Sequence, residues 1–436
     1  SASVDKVPGM RAQGNKIGVA LRTYFGRKPG ALKAILRAVQ SKSEDVTFLD
    51  PFVEDMVAIV ADVVACRDAR RGVQAGLHCE VRPYLIGAWR KFAGDPDTEV
   101  ERWLVEGAPL GILHKPKDCG IFPVHSEAEA AKDIGTLVTD PTINGKMTRA
   151  AMDKDSVKEM TDLTKKGWLR RFKSRFAAKA AVKGRLIFSE LFVIKKLKTK
   201  KEDGKIVRKV KRRMLLNLKK SGVTAVSAKC ERPELPRILD LVFSNLEIMR
   251  RRRDKKLRHV VLDFSNAFYN FPNLPAERRF FVTKLKEYIY IWWRVTQGSR
   301  GAPLVNCRSL GLAMRLALAS VPEFAATAST YVDDPIMTVS GDDDEQNLNI
   351  GIIIGCLLAM GFDLAFSKAQ DSVVDQRVVW TSGVLELLWE EEAIKITVKE
   401  EILLELSANI DEILAVSAVQ VDDVRSLAGR ATCVAS

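Results

Sequence analysis

Thr330-Tyr331-Val332-Asp333-Asp334-Pro335-Ile336-Met337-Thr338-Val339 sets two adjacent carboxylates between short apolar runs. Such runs on either side of a polar pair read as a β-hairpin with the acids at its turn, where neighbouring backbone holds them rigidly. An Asp-Asp pair alone decides little. Most are solvated turn residues, and the chain has others at Asp342-Asp343-Asp344 and Asp422-Asp423. A second stretch gives this one its weight. Val260-Val261-Leu262-Asp263-Phe264-Ser265-Asn266-Ala267-Phe268 is a β-branched apolar run that reads as a buried strand. It ends in an aspartate, small polar residues and an aromatic. A carboxylate at the end of a buried strand needs a cationic partner. No Lys or Arg lies within the motif, so a metal ion is the natural one. Asp263, Asp333 and Asp334 are the expected ligands of two Mg²⁺ ions, with Mn²⁺ as a substitute; Asp334 is the weaker ligand of the acidic pair. Hard divalent cations take oxygen ligands, and Mg²⁺ combines one or two carboxylates with substrate phosphates. Such a site activates a hydroxyl nucleophile on one ion and steadies the leaving phosphate oxygen on the other.

Three further segments fit around these acids. In Thr296-Gln297-Gly298-Ser299-Arg300-Gly301-Ala302-Pro303 the glycines permit close backbone approach to a base pair or phosphate. Read blandly, the same piece is a loop leading into a helix. Pro303 then opens an amphipathic helix over 304–319, at the position proline tolerates best. Arg213, with Lys209 and Lys211 near it on an apolar strand, suits a triphosphate that needs cations and positioning. A solvated basic strand face is the other reading. Ser340-Gly341-Asp342-Asp343 imitates the Gly-Asp-Asp sequence of viral RNA polymerases, but polar residues follow it where a strand is needed. It reads instead as a turn and N-cap for a helix over 348–360.

Taken together the chain resembles a reverse transcriptase of the retroelement kind, and likeness to DIRS-like elements is the weaker, more specific form of that statement. Tyr331–Asp334 resembles the family's Tyr-x-Asp-Asp box, and Asp263–Phe268 its Asp-x-x-x-Ala-aromatic box. Gln297–Pro303 resembles Gln-Gly-x-x-Gly-Ser-Pro, with Ala302 for the usual Ser. Gly361-Phe362-Asp363-Leu364-Ala365-Phe366-Ser367-Lys368 resembles the Gly-Phe…Lys segment, and Trp380-Thr381-Ser382-Gly383-Val384 the strand that grips the primer. Arg212-Arg213-Met214-Leu215-Leu216-Asn217 resembles the Arg-bearing strand of the fingers. The boxes stand in the family's order over roughly residues 185–390. The resemblance implies an α+β right-hand polymerase of fingers, palm and short thumb, with an antiparallel palm sheet and a helical N-terminal extension. It implies an RNA-directed DNA polymerase that extends a primer on an RNA or DNA template with dNTPs. Under it, Phe268 is a steric gate against the ribose 2′-hydroxyl, and Asn266 and Ala267 offer N–H groups to the triphosphate. Phe264, Gln297, Gly298 and Tyr331 join the substrate contacts, and Val332 lies beneath the primer end. Lys368 is either a proton donor to leaving pyrophosphate or a surface lysine at a loop end. A viral-type RNA-dependent RNA polymerase and a non-catalytic nucleic-acid-binding descendant are the alternatives.

Charge points to the same partner. The 436 residues carry a net charge of +14, and from Lys165 to Lys220 there are 22 Lys or Arg against three acids. Interleaved with Trp168, Phe172, Phe176 and Phe188, this block suits a surface that tracks phosphates. Part of it reads as a hairpin around Asp203-Gly204. The seven cysteines lack C-x-x-C spacing, which argues against a disulfide frame or zinc site and for a reducing, intracellular setting, cytoplasmic or nuclear. No apolar run reaches membrane-spanning length. The expected division is a helical extension over 1–150 that packs on the fingers or binds template, a basic fingers region over 151–258, a palm over 259–390, and thumb or connection helices over 391–436. Helical periodicity marks 30–41, 53–67, 84–92 and 99–106 in the first part, and 399–416 and 424–434 in the last. The chain reads as a piece of a longer polyprotein, with RNase H and an integrase or recombinase as the missing domains.

Overall fold

The apolar run before Asp263 becomes β4 (Lys256–Val261), an inner strand of an antiparallel sheet. The computed structural model describes residues 7–71, 81–124, 134–137, 153–202, 205–391, 393–415, and residues 420, 421, 424, 425, 427–429 and 431. On one side of β4 lies β8 (Asp334–Gly341), with Val260 opposite Met337 and Val261 opposite Ile336; β8 in turn pairs with β7 (Ala326–Tyr331). On the other side is the two-residue β9 (Gln370–Asp371). Alternation along the strands gives the sheet two apolar faces. Val260, Met337 and Val339 enter the main core, whereas Val261 and Ile336 join a second cluster with Leu241, Val378, Trp380 and Leu385.

Other strands form separate antiparallel units. The first is β1 (Leu169–Phe172), β5 (Val282–Leu285) and β6 (Tyr288–Trp292), in the order β1-β6-β5. The expected basic hairpin is β2 (Glu190–Glu202) with β3 (Lys205–Asn217), closing at the pair Glu202–Lys205; its turn, residues 203 and 204, is outside the described residues. Strands β10 (Arg377–Trp380), β11 (Gly383–Leu388) and β12 (Ala393–Val398) form the third unit.

The described helices that fix the architecture are α1 (Met10–Arg27), α2 (Pro29–Gln40), α3 (Asp50–Val63), α4 (Pro83–Ala93), α5 (Glu99–Glu106), α6 (Lys154–Lys165), α7 (Arg175–Val182), α8 (Ile238–Arg251), α9 (Ala302–Ala319), α10 (Asp343–Ala359) and α11 (Glu400–Leu414). Pro303 stands in the first turn of α9, as its missing N–H favours. Helix α10 begins at Asp343, earlier than the apolar periodicity alone gives, because Asp342 and Glu345 close a capping box. The Asp342–Asp344 run is thus a helix start, as expected. Of the expected helix over 424–434, residues 424, 425, 427–429 and 431 are described, and each is helical. Among the described residues no helix is long and apolar enough to cross a membrane.

The expected helices over 30–41, 53–67, 84–92 and 99–106 appear as α2, α3, α4 and α5, with ends shifted by up to four residues, and α1 adds a helix before them. Helix α1 precedes the first periodic segment read from sequence. It packs with α2 and α3 on α9 and α10, behind the sheet. Gly14 and Gly18 hide its periodicity and explain its position. A Cβ at Gly18 would lie 1.8 Å from the Ser320 carbonyl oxygen, and one at Gly14 would lie 2.5 Å from that of Ala319. Only glycine lets α1 come this close to the end of α9.

Helix α9 is buried along nearly its whole length and carries two arginines inside the core. Arg315 pairs with Asp95 at 2.6 Å. Arg308 grips both carboxylate oxygens of Asp97 at 2.8 and 2.5 Å and reaches Glu231 at 3.2 Å. These groups are almost wholly removed from water, so losing one partner leaves charges uncompensated. Arg308→Met is expected to lower stability by about 3–5 kcal/mol, read as an earlier urea midpoint; an unchanged midpoint would contradict this role.

Candidate active site

The site is built from main-chain pairing before any side chain acts. Beyond the end of β4, the Leu262 N–H donates to the Pro335 carbonyl at 3.0 Å and the Phe264 N–H to the Asp333 carbonyl at 2.9 Å. On the other flank, the Ala365 N–H donates to the Asp263 carbonyl and the Ser265 N–H to that of Asp363, both at 2.8 Å. Residues 262–265 are therefore held from both sides, and Asp263 stands beside the acidic turn. That turn is tight. Val332 sits at φ 59°, a left-handed conformation that a β-branched residue rarely adopts. The Asn306 side-chain amide, from α9, donates to the Val332 carbonyl at 3.0 Å and helps hold it.

The three expected acids do come together. Asp334 is hydrogen-bonded to Asp263, and both Asp263 and Asp333 act on it electrostatically. Burial first, then the Asp333 charge, then Asp263, push the Asp334 carboxyl up to about 7. Burial and the Asp263 charge also raise Asp333, opposed by Lys368 and Arg213. The Lys368 ammonium lies 2.5 Å from an Asp263 oxygen. Lys368 is also partly exposed, its side chain 43% accessible.

Arg213, Asp263, Asp334, Lys368, Trp380 and Lys399 border one cavity of about 330 Å³. Two of these were not foreseen in their present roles. The Trp380 indole N–H donates to the Asp334 carbonyl at 2.9 Å, tying β10 to the acidic turn. Lys399 bonds the Thr381 carbonyl at 2.6 Å from the start of α11. Neither link has a local sequence signal, since each joins segments far apart in the chain.

The remaining expected residues divide. Ala267 and Phe264 are buried, Asn266 is exposed in a left-handed conformation, and Tyr331 is half-buried at the end of β7. Phe268 is half-buried against the main core, while the next residue, Tyr269, stacks on Trp168 at 4.3 Å. Gln297 is half-buried and Gly298 exposed. The glycines of this loop lie against protein backbone. A Cβ at Gly298 would meet the Leu216 carbonyl oxygen at 3.0 Å, and one at Gly301 that of Leu110 at 2.6 Å. They admit protein backbone, and with it the approach of β3 to the loop.

Among the described residues, no three His, Cys, Asp or Glu side chains are disposed to close on a single metal ion as they stand. The donor set nonetheless suits a hard cation. It is all carboxylate oxygen, burial and mutual repulsion raise Asp333 and Asp334, and Lys368 and Arg213 supply positive charge nearby.

No family model and no curated protein matches the chain. Solved structures give low-level likeness. A foamy viral protease-reverse transcriptase in complex with double-stranded DNA is 16% identical with a TM-score of 0.41, covering 69% of this chain and 44% of that one. A foamy viral protease-reverse transcriptase with an RNA/DNA hybrid is 16% identical with a TM-score of 0.38, covering 64% and 30%. The chain thus spans less than half of either protein.

Asp333 and Asp334 both have raised carboxyls, Asp334 from 3.8 to about 7, so across that window the native state keeps a proton on Asp334 that the unfolded chain has released. Stability contributed by these groups therefore falls as pH rises through this window. In EDTA, the melting temperature of Asp334→Asn is expected to fall less than that of the wild type between pH 5 and pH 8. Parallel curves for the two proteins would refute the assignment.

Proposed function

We propose that this chain is an RNA-directed DNA polymerase of a mobile retroelement, extending a primer 3′ end with dNTPs. The observation that carries the reading is the meeting of Asp263, Asp333 and Asp334, from two separate segments, beside a cavity that Arg213 and Lys368 also border. Phosphoryl transfer asks a protein mainly for positioning and charge stabilisation, and this is a set of rigidly held acids with cations at their edge.

In this reading Asp263, Asp333 and Asp334 hold two Mg²⁺ ions. When bound, these would activate the primer hydroxyl and neutralise charge on the transferred phosphate. The primer 3′ hydroxyl gives its proton to solvent as its oxygen bonds the α-phosphorus of the dNTP, and the bond to pyrophosphate breaks. Arg213 binds the triphosphate, and Lys368 gives the proton that pyrophosphate takes up. Asn266 and Ala267 offer N–H groups to the triphosphate, and Val332 supports the primer terminus. Phe268 faces the sugar and excludes a 2′-hydroxyl. The unit around β4, β7 and β8 would be the palm, the β2–β3 hairpin part of the fingers, and α11 part of a thumb. RNase H and integrase or recombinase domains would belong to the longer protein.

Primer extension on poly(rA)/oligo(dT) with dTTP and Mg²⁺ tests this. The wild type is expected to extend, and Asp333→Ala to be slower by at least about 10²-fold, the scale of losing one electrostatic stabiliser. Tight primer-template binding without extension would leave a binding protein in place of a polymerase. Phe268→Ala is expected to raise the use of rUTP relative to dTTP; wild-type preference for rUTP would favour the RNA polymerase alternative.

A further inference from the structure

Two helices far apart in sequence show bare apolar stripes. On α8, Leu239, Phe243 and Leu246 are 48%, 67% and 47% exposed. Their spacings of four and three place them along one side of the helix. On α11, Leu403, Ile410 and Leu414 are 49%, 42% and 76% exposed, at spacings of seven and four. Single exposed leucines are ordinary; a contiguous stripe along a whole helix marks a contact surface. The two helices also match in length, 14 and 15 residues, or about 21 and 22 Å at the α-helical rise.

Their charges are opposite. Helix α11 contains Glu400, Glu401, Glu405, Asp411 and Glu412, and no Lys or Arg. Helix α8 is flanked by Arg237 and by the run Arg250–Arg253, against Asp240 and Glu247 within it. Arg252 pairs with Glu345, while Arg250 and Arg251 share the single carboxylate of Glu247, so two arginines answer one acid at that end. An antiparallel contact sets the acidic first turn of α11 against this basic end of α8. The acids near the end of α11 then face Arg237.

We propose that α11 of one copy of this chain docks on α8 of a second copy, and reciprocally, in a two-fold homodimer. Charge complementarity selects this occupant, since like faces would set acid against acid or arginine against arginine. Two-fold symmetry forms the contact twice, adding area toward the roughly 1,000 Å² that specific interfaces bury. The proposal does not depend on the catalytic reading.

Analytical ultracentrifugation over a concentration series tests it, using the whole chain. The wild-type mass is expected to rise from 48.5 kDa toward twice that value. Phe243→Glu and Leu403→Glu change exposed residues and are each expected to stay monomeric with an unchanged circular dichroism spectrum. Mixed together they are expected to associate, because the first keeps an intact α11 and the second an intact α8. A wild type that stays monomeric at every concentration overturns the proposal. Cross-linking would then assign the stripes to closure of α11 on α8 within one chain, or, if none forms, to a different partner. Variants that dimerise like the wild type, or that fail to associate when mixed, also overturn it.

Discussion

Three carboxylates held close enough to repel one another are the constraint on which the rest of this structure depends. Side chains alone would swing Asp263, Asp333 and Asp334 apart. Main-chain hydrogen bonds prevent this by fixing the segment around Asp263 between the acidic turn and residues 363–365. The strained backbone at Val332 has the same origin. It persists because Asn306, the β7–β8 register and the pairing to Phe264 leave that turn no relaxed alternative. The raised carboxyls of Asp333 and Asp334 register the electrostatic side of the arrangement.

The scaffold behind the sheet answers to the same need for rigidity. Helix α9 supplies Asn306 to the acidic turn and, two and nine residues further on, Arg308 and Arg315 to the buried acids Asp97 and Asp95. The N-terminal helices are thereby joined to the element that steadies the site. Buried ion pairs contribute little net stability but penalise any other arrangement, so they fix where α4 and α5 sit. On the opposite face Trp380 ties the β10–β12 unit to the Asp334 backbone. The site is consequently braced from both sides of one sheet.

Much of the local structure was legible in the sequence. The hairpin around Asp333-Asp334, the buried strand before Asp263, the proline-started α9 and the capped α10 all follow from apolar periodicity and turn chemistry over a few residues. Helix α1 was not legible, because Gly14 and Gly18 interrupt its apolar pattern and serve a packing partner some three hundred residues away. The loop glycines at 298 and 301 were legible as points of close approach, and within the protein they admit β3 and the segment near Leu110. A missing Cβ states that room is needed and cannot name the neighbour.

The sequence by itself determined the element types, the identity of the acids and cations, and the strong positive charge of the 165–220 block, since each rests on residue chemistry at short range. Tertiary structure alone decided that Asp263 meets Asp333 and Asp334, that Lys368 turns toward Asp263, and that Trp380 and Asn306 brace the acidic turn. It also decided that the N-terminal helices pack behind the sheet. Each of these contacts joins residues tens to hundreds of positions apart. Their geometry is set by how whole elements bury their apolar faces against one another, and no local pattern encodes that choice.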